Sequence, residues 1–361
     1  MPYLHPIRLE ASLHETIWGG QRLESHGWKT LPARDIAIGE AWETEINTVA
    51  QNEPYKGKSL GVLVEELGGA LLGEQAITIY GMRFPLLAKF IDAKARLSVQ
   101  VHPCDDYAAQ YENGKSGKTE FWYILAAEPG ATIVHGFNAP TSPAQVQHAI
   151  EQVSLEGLLH EETVQAGDVI FVPTGTVHAI GSGVMLYELQ QYSDITYRMY
   201  DYGRLNANGM LRELHIERSL DVARYAVSPT VKVQPVSLAS KDSYDDRCLV
   251  ACQYFVAREI TLKHDIAHAY GYMKGRTAGS CIILSSLSAE VQVRYGEAGD
   301  TLTRSEPLSR GQTMVLPAEL GDYCLEGTGT LVFSYVPTRD DAAWRRWEEV
   351  NTKQAICEAQ A

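Results

Sequence analysis

The feature that most constrains this chain is how often a short apolar run starts and stops. FPLLAKFID (84–92), LSVQVHP (97–103), TEFWYILAA (119–127), ATIVHGF (131–137), GDVIFVP (167–173) and VMLYELQ (184–190) follow one another with turn residues between them. After about residue 225 the pattern resumes in CQYFVAREITL, CIILSSL, AEVQVRYG, TMVLPAE and GTLVFSYV. Many short strands at regular intervals lead to an all-β barrel or sandwich. Helical spacing is confined to 59–73, 142–161 and 340–360; in the last, Trp344, Trp347 and Asn351 make one face of an amphipathic helix.

A faint repeat joins the two halves. VQAGDVIFVPTGTVHAIGSGVMLYEL (164–189) lines up with LSRGQTMVLPAELGDYCLEGTGTLVFSYV (308–336): glycine, a polar residue, three apolar residues, proline, a turn, then a glycine-flanked strand. The second copy has Leu320, Gly321 and Asp322 near the place of His178. It is therefore excluded as a metal site, and packing or dimerisation is the role expected of it.

Charge narrows the partners. Against 31 Lys+Arg stand 45 Asp+Glu, a net charge of −14, which disfavours nucleic acid and anionic membranes. An anionic substrate would need local Lys or Arg. No apolar run approaches a membrane span, and MPYLHPIRLE lacks the pattern of a secretion signal. Six scattered cysteines (104, 248, 252, 281, 324, 357), with no CxxC, lead to the expectation of reduced thiols and a cytoplasmic location.

Within LSVQVHP, alternation sends Ser98, Gln100 and His102 to one face and Leu97, Val99 and Val101 to the other. Taken singly, Gln100 could be a bonded strand amide, His102 a turn cap, and Glu120 half of a surface pair with Lys118. The stretch GDVIFVPTGTVH (167–178) makes the joint reading different. Its G-x5-P-x-G-x2-H spacing describes a strand, a tight corner and a histidine entering the next strand, and it resembles a motif of the cupins, small β-barrels that often hold a metal at their mouth. Gln100, His102, Glu120 and His178 then form a mixed N/O set suited to one divalent ion per chain, zinc or else Co2+ or Mn2+. The architecture expected is mainly β, two cupin-like jelly-roll barrels with a few flanking helices. It divides into a metal-bearing catalytic unit (1–235), a degenerate second β unit (236–338) and a C-terminal helix (339–361).

Charges also interrupt apolar strands. Lys89 lies in FPLLAKFI, Glu188 in VMLYEL and Arg198 after SDITY. An unpaired buried charge is costly, so either they pair (Lys89 with Glu188, Asp194 with Arg198) or they line a polar cavity.

ETIWGG, IGEAWE, FPLLAKFIDA, LSVQVHP, GKTEFWYIL, VHGF and PTGTVHAIGSGVMLYELQQYSDITYRMYDYGR together resemble the type I phosphomannose isomerases, strongly over about residues 1–235 and weakly beyond. The resemblance implies zinc on Gln100, His102, Glu120 and His178, Arg198 as a catalytic or phosphate-facing arginine, and Ser98, Lys89, Lys118, Glu188, Asp194 and Trp18 around the substrate. It implies interconversion of mannose 6-phosphate and fructose 6-phosphate through a cis-enediolate. Larger members carry a helical domain between the glutamate and the second histidine; the short stretch from Glu120 to His178 fits the compact bacterial form. For the base, Glu188, Lys89, Lys118 and a metal-bound water all stay open, with Glu188 favoured. The alternatives are a non-catalytic sugar-binding or regulatory cupin, an isomerase of another sugar phosphate, and an iron-dependent cupin oxygenase, against which Gln100 and the Lys/Arg set argue. Oligomeric state is not legible in the residues.

Overall fold

The computed structural model describes residues 4–33, 36–206, 208–227, 231–264, 270–288, 290–296 and 302–351. As the sequence predicts, the architecture is mainly β with flanking helices, and the strands form layered sheets. A seven-stranded sheet runs in the order Lys232–Val233, Val169–Val172, Glu120–Ala127, Val184–Gln191, Leu86–Ala93, Ile38–Trp42, Ser12–Gly20. Facing it is a five-stranded sheet, Tyr197–Tyr200, Val99–Val101, His178–Ile180, Thr132–Phe137, Leu159–Thr163.

Strand alternation assigns each face. From the larger sheet, Ile91, Trp122, Ile124 and Leu186 meet Leu97, Ile133 and Ile180 of the smaller one inside this first sandwich. The residues between them, Phe90, Phe121 and Tyr187, point the other way and share a core with Val256, Ile283, Val315 and Val332. Val99, Val101 and Met199 turn outward under Val146, Ala149 and Ile150 of the helix Pro143–Glu151.

The remaining strands build an eleven-stranded sheet whose central path is Val236–Ser240, Tyr244–Ala251, Val256–Leu262, Asp322–Tyr335, Ile282–Ser286, Thr313–Leu316, Ile7–Glu10, Val49–Ala50. The first strand of the chain thus lies in this sheet, with Ile7, Arg8 and Leu9 opposite Val315, Met314 and Thr313. The strand Asp322–Tyr335 is long enough to serve two layers. Its first part pairs with Gly271–Arg276 and Glu290–Tyr295, its last part with Val256–Leu262 and Ile282–Ser286. Ile260, Leu284, Val293, Leu325 and Phe333 fill the second sandwich so formed.

Two helical expectations need correction. The span 59–73 is broken at Gly68 and Gly73, both at positive φ, into Leu60–Leu67, Gly69–Leu72 and a further helix Glu74–Tyr80. The span 142–161 is helical only over Pro143–Glu151, where the Ser142 hydroxyl accepts from the Gln145 N–H. Leu159–Thr163 is instead a strand on Thr132–Phe137, where tertiary pairing overrides local spacing. A C-terminal helix is present as Ala342–Asn351; residues 352–361, with Cys357, lie outside the described residues. Trp347 of that helix is buried in the shared core.

Candidate metal centre

The strands deliver the site residues from both layers. Gln100 and His178 face each other across adjacent strands of the smaller sheet, and Arg198 flanks Gln100 on its other side. Glu120 is the first residue of a strand in the larger sheet. The Pro173–Gly175 corner links the two sheets. Gly175 has φ +82° and its N–H donates to the His102 carbonyl at 2.9 Å. A Cβ there would come within 2.9 Å of the Val222 carbonyl and the Arg224 side chain. This glycine fastens the corner to the end of Val99–Val101 and so brings His178 beside His102.

Both imidazoles are fixed by backbone carbonyls. His102 Nδ1 lies 2.8 Å from the Ile195 oxygen and His178 Nδ1 2.8 Å from the Thr176 oxygen. Because a carbonyl only accepts, each Nδ1 carries the proton and each Nε2 carries a lone pair. Those lone pairs are directed at Glu120, with His102 Nε2 at 3.5 Å from Oε2 and His178 Nε2 at 3.3 Å from Oε1. Burial keeps the imidazoles neutral: it depresses His102 well below the usual value, aided by Lys118, and holds His178 down to about 4.

Glu120 is wholly buried, and neither carboxylate oxygen has a hydrogen-bond partner. Lys118 Nζ stands 2.9 Å from Oε2, an ion-pair contact without hydrogen-bond geometry. Three electron-pair donors, on His102, Glu120 and His178, therefore lie within 4.8 Å of one another. Lys118, whose Nζ also lies 3.2 Å from His102 Nε2, offsets part of their mutual repulsion, and the cluster is able to hold a metal ion. The Gln100 amide reaches the same point, its Nε2 at 3.2 Å from His178 Nε2. Amide N and O are exchangeable by rotation, so Gln100 can offer an oxygen as a fourth donor. No thiolate takes part.

Above this cluster opens a cavity of about 570 Å3. Trp18, Lys89, Ser98, Gln100, Lys118, Glu188, Asp194 and Arg198 all line it, so the structure brings together the residues singled out in the sequence. The Lys89–Glu188 pair exists at 3.4 Å, but Lys89 is shared with Glu40 at 3.2 Å and lies over the Trp42 ring. Burial pulls the Lys89 ammonium toward neutrality, yet Glu40 and Glu188 outweigh it and keep the group charged. Burial pushes the Glu188 carboxyl up, helped by Glu120 and opposed by Lys118 and Lys89. Its Oε2 accepts from Trp122 Nε1 at 3.0 Å, while Oε1 has no hydrogen bond.

The expected Asp194–Arg198 pair is not formed. Asp194 turns outward to Lys115 at 2.7 Å, and Arg198 Nη1 donates to the Glu213 carbonyl at 2.8 Å, leaving its buried Nε free of hydrogen bonds. Among the wall residues that sequence reasoning missed are Glu40, Trp42 and Arg212. Glu40 carried the same signal as Lys89, a charge inside an otherwise apolar strand. Arg212, in a loop, carried none; Asp201 grips it through Nε at 2.6 Å and Nη2 at 2.5 Å.

A two-sheet sandwich with a buried, metal-competent carboxylate–imidazole cluster beneath a charged cavity defines the class. The model of the phosphomannose isomerase type I catalytic domain matches residues 7–123. The chain is 36% identical over 338 residues to mannose-6-phosphate isomerase ManA of Bacillus subtilis, covering 92% of this chain and 99% of that one. It is 32% identical to mannose-6-phosphate isomerase of Streptococcus mutans, over 91% and 98% of the two chains. The crystal structure of the mannose 6-phosphate isomerase from Bacillus subtilis superposes with a TM-score of 0.78 at 33% identity, covering 92% of this chain and 99% of that one. The chain belongs to the type I phosphomannose isomerase family.

Proposed function

We propose that the chain interconverts mannose 6-phosphate and fructose 6-phosphate, using one divalent metal, zinc in the first instance, held by Gln100, His102, Glu120 and His178. The observation that carries the reading is the buried Glu120 carboxylate, without hydrogen bonds, between two neutral imidazoles, at the foot of a cavity that also holds a second buried carboxyl and fixed cations. A metal held there supplies Lewis-acid polarisation of the sugar oxygens.

The reaction moves a proton between C1 and C2 through a cis-enediolate. Glu188 carries that proton: Trp122 fixes one oxygen, the other has no hydrogen bond and faces Lys89, and burial raises the carboxyl toward working pH. Lys89 and Lys118, both buried and cationic, face oxygens that gain negative charge. Arg198 and Arg212 hold the phosphate at the mouth, Arg212 made rigid by Asp201. Trp18 walls the sugar, Ser98 offers a hydroxyl, and Asp194 sits at the rim. Among the described residues no helix is long and apolar enough to cross a membrane, and the dispersed cysteines support a cytoplasmic enzyme.

A coupled assay feeding mannose 6-phosphate and detecting fructose 6-phosphate tests this. Turnover lost with chelator, restored by zinc and absent in His102→Ala is expected. A metal-loaded chain without turnover overturns the assignment of the substrate.

A further inference from the structure

The second sandwich repeats the first strand by strand. In the larger layers, Val169–Val172, Glu120–Ala127, Val184–Gln191, Leu86–Ala93 and Ile38–Trp42 correspond in order to Thr313–Leu316, Ile282–Ser286, Asp322–Tyr335, Val256–Leu262 and Tyr244–Ala251. Register fixes the equivalent residues. Glu120 opposes Val172 and Gln190; Ile282 opposes Leu316 and Tyr335. Lys89 opposes Glu188 and Trp42; Arg258 opposes Phe333 and Cys248. Glu40 opposes Ile91; Asp246 opposes Ile260.

The ion pair Lys89–Glu40 of the first mouth is therefore kept in the second as Arg258–Asp246. Phe333 replaces Glu188 and Ile282 replaces Glu120. The second mouth is not filled in: it encloses a cavity of about 270 Å3. Arg258 is tied to Asp246 through Nε and Nη2 and lies over Phe333, which leaves Nη1 without a hydrogen-bond partner among the described residues. Tyr244 and Tyr323 also line it, and their hydroxyls are likewise unbonded among the described residues.

We propose that this second mouth is a separate, metal-free binding site for a small sugar phosphate, which it holds without turnover. The free Arg258 edge meets the phosphate, and the rings of Tyr244, Tyr323, Phe333 and Tyr335 meet the C–H face of the sugar. Ile282 offers no metal ligand and Phe333 no proton acceptor, so binding is all the site can do. This inference stands on the register equivalence and on the cavity, and does not require the first site to be an isomerase.

Calorimetric titration of the full chain with mannose 6-phosphate, and separately with mannose and inorganic phosphate, tests it. Two sites are expected in the unaltered chain and one in the variant Gln100→Ala/Arg198→Ala, whose first site is disabled. Ala278→Trp, an exposed substitution that blocks the opening, should weaken that remaining event at least tenfold and leave turnover unchanged. Sugar phosphate binding at least tenfold tighter than phosphate or mannose alone supports the ligand class. Equal affinity for inorganic phosphate overturns it, and a single site in the unaltered chain, or none in the disabled one, overturns the site.

Discussion

The two sandwiches share a strand order and differ at a handful of inward positions. In the first, a carboxylate at Glu120 sits among lone pairs and a second carboxyl at Glu188 faces Lys89. In the second, Ile282 and Phe333 occupy those places, and the cation Arg258, still paired with Asp246, meets an aromatic ring where Lys89 meets Glu188. The backbone arrangement thus sets where a mouth forms, and a few side chains decide whether it can hold a metal or move a proton. The comparison also shows what each half can tolerate. Buried donors in the first are left unbonded for a ligand to satisfy, whereas the inner core of the second is largely apolar.

Exchanging residues between the halves should break this contrast most sharply at Glu120. Glu120→Ile, which installs the second sandwich's residue, is expected to abolish turnover and bound metal, checked by assay and elemental analysis. A variant retaining both would show that the carboxylate is dispensable. Glu188→Phe should lower kcat by about a hundred- to ten-thousandfold while metal content stays normal; loss of metal would mean that Glu188 belongs to the ligand set instead.

The halves should also part in acid. His102, His135 and His178 are buried in the first sandwich and all are held below the usual value by burial, His135 and His178 to about 4. Below pH 6.5 the unfolded chain takes up protons that the folded chain refuses, so stability falls as pH drops toward 4, by up to about 1.4 kcal/mol per pH unit for each histidine. Hydrogen exchange of the metal-free chain should therefore show Thr132–Phe137 and His178–Ile180 losing protection between pH 6.5 and 4.5 before Val256–Leu262 does. Uniform loss would remove the distinction.

The mildest test is Gly39→Ala. A Cβ at Gly39 would strike the Thr16 hydroxyl and approach the Trp18 ring at 2.6 Å, so about 1–3 kcal/mol of stability should be lost. A thermal melt should show the shift, with a raised KM if the Trp18 wall moves. An unchanged melt would mean that the two strands part easily.

The strand-rich fold and the gathering of His102, Glu120 and His178 were legible because period-two alternation exposes a polar side chain in an apolar run. Gln100, Glu120 and Glu188 all announce themselves that way. Arg212 did not, since a loop has no period against which a charge stands out. The helix read through 159–161 failed because leucine spacing there serves a strand partner at Thr132–Phe137. The repeat was visible only over the corner and its flanking strands. Elsewhere register preserves it while the side chains, Lys89 against Arg258 and Glu120 against Ile282, have changed in size or chemistry.

The placement of Ile7–Glu10 has a consequence for how the molecule is made. This strand leaves the ribosome long before its partner Thr313–Leu316, with the whole first sandwich encoded between them. The first sandwich can condense during translation, while Ile7–Glu10 waits with an unpaired edge. Closure of that pairing is a long-range step, and it makes completion of the eleven-stranded sheet depend on a strand made well before the rest of that sheet.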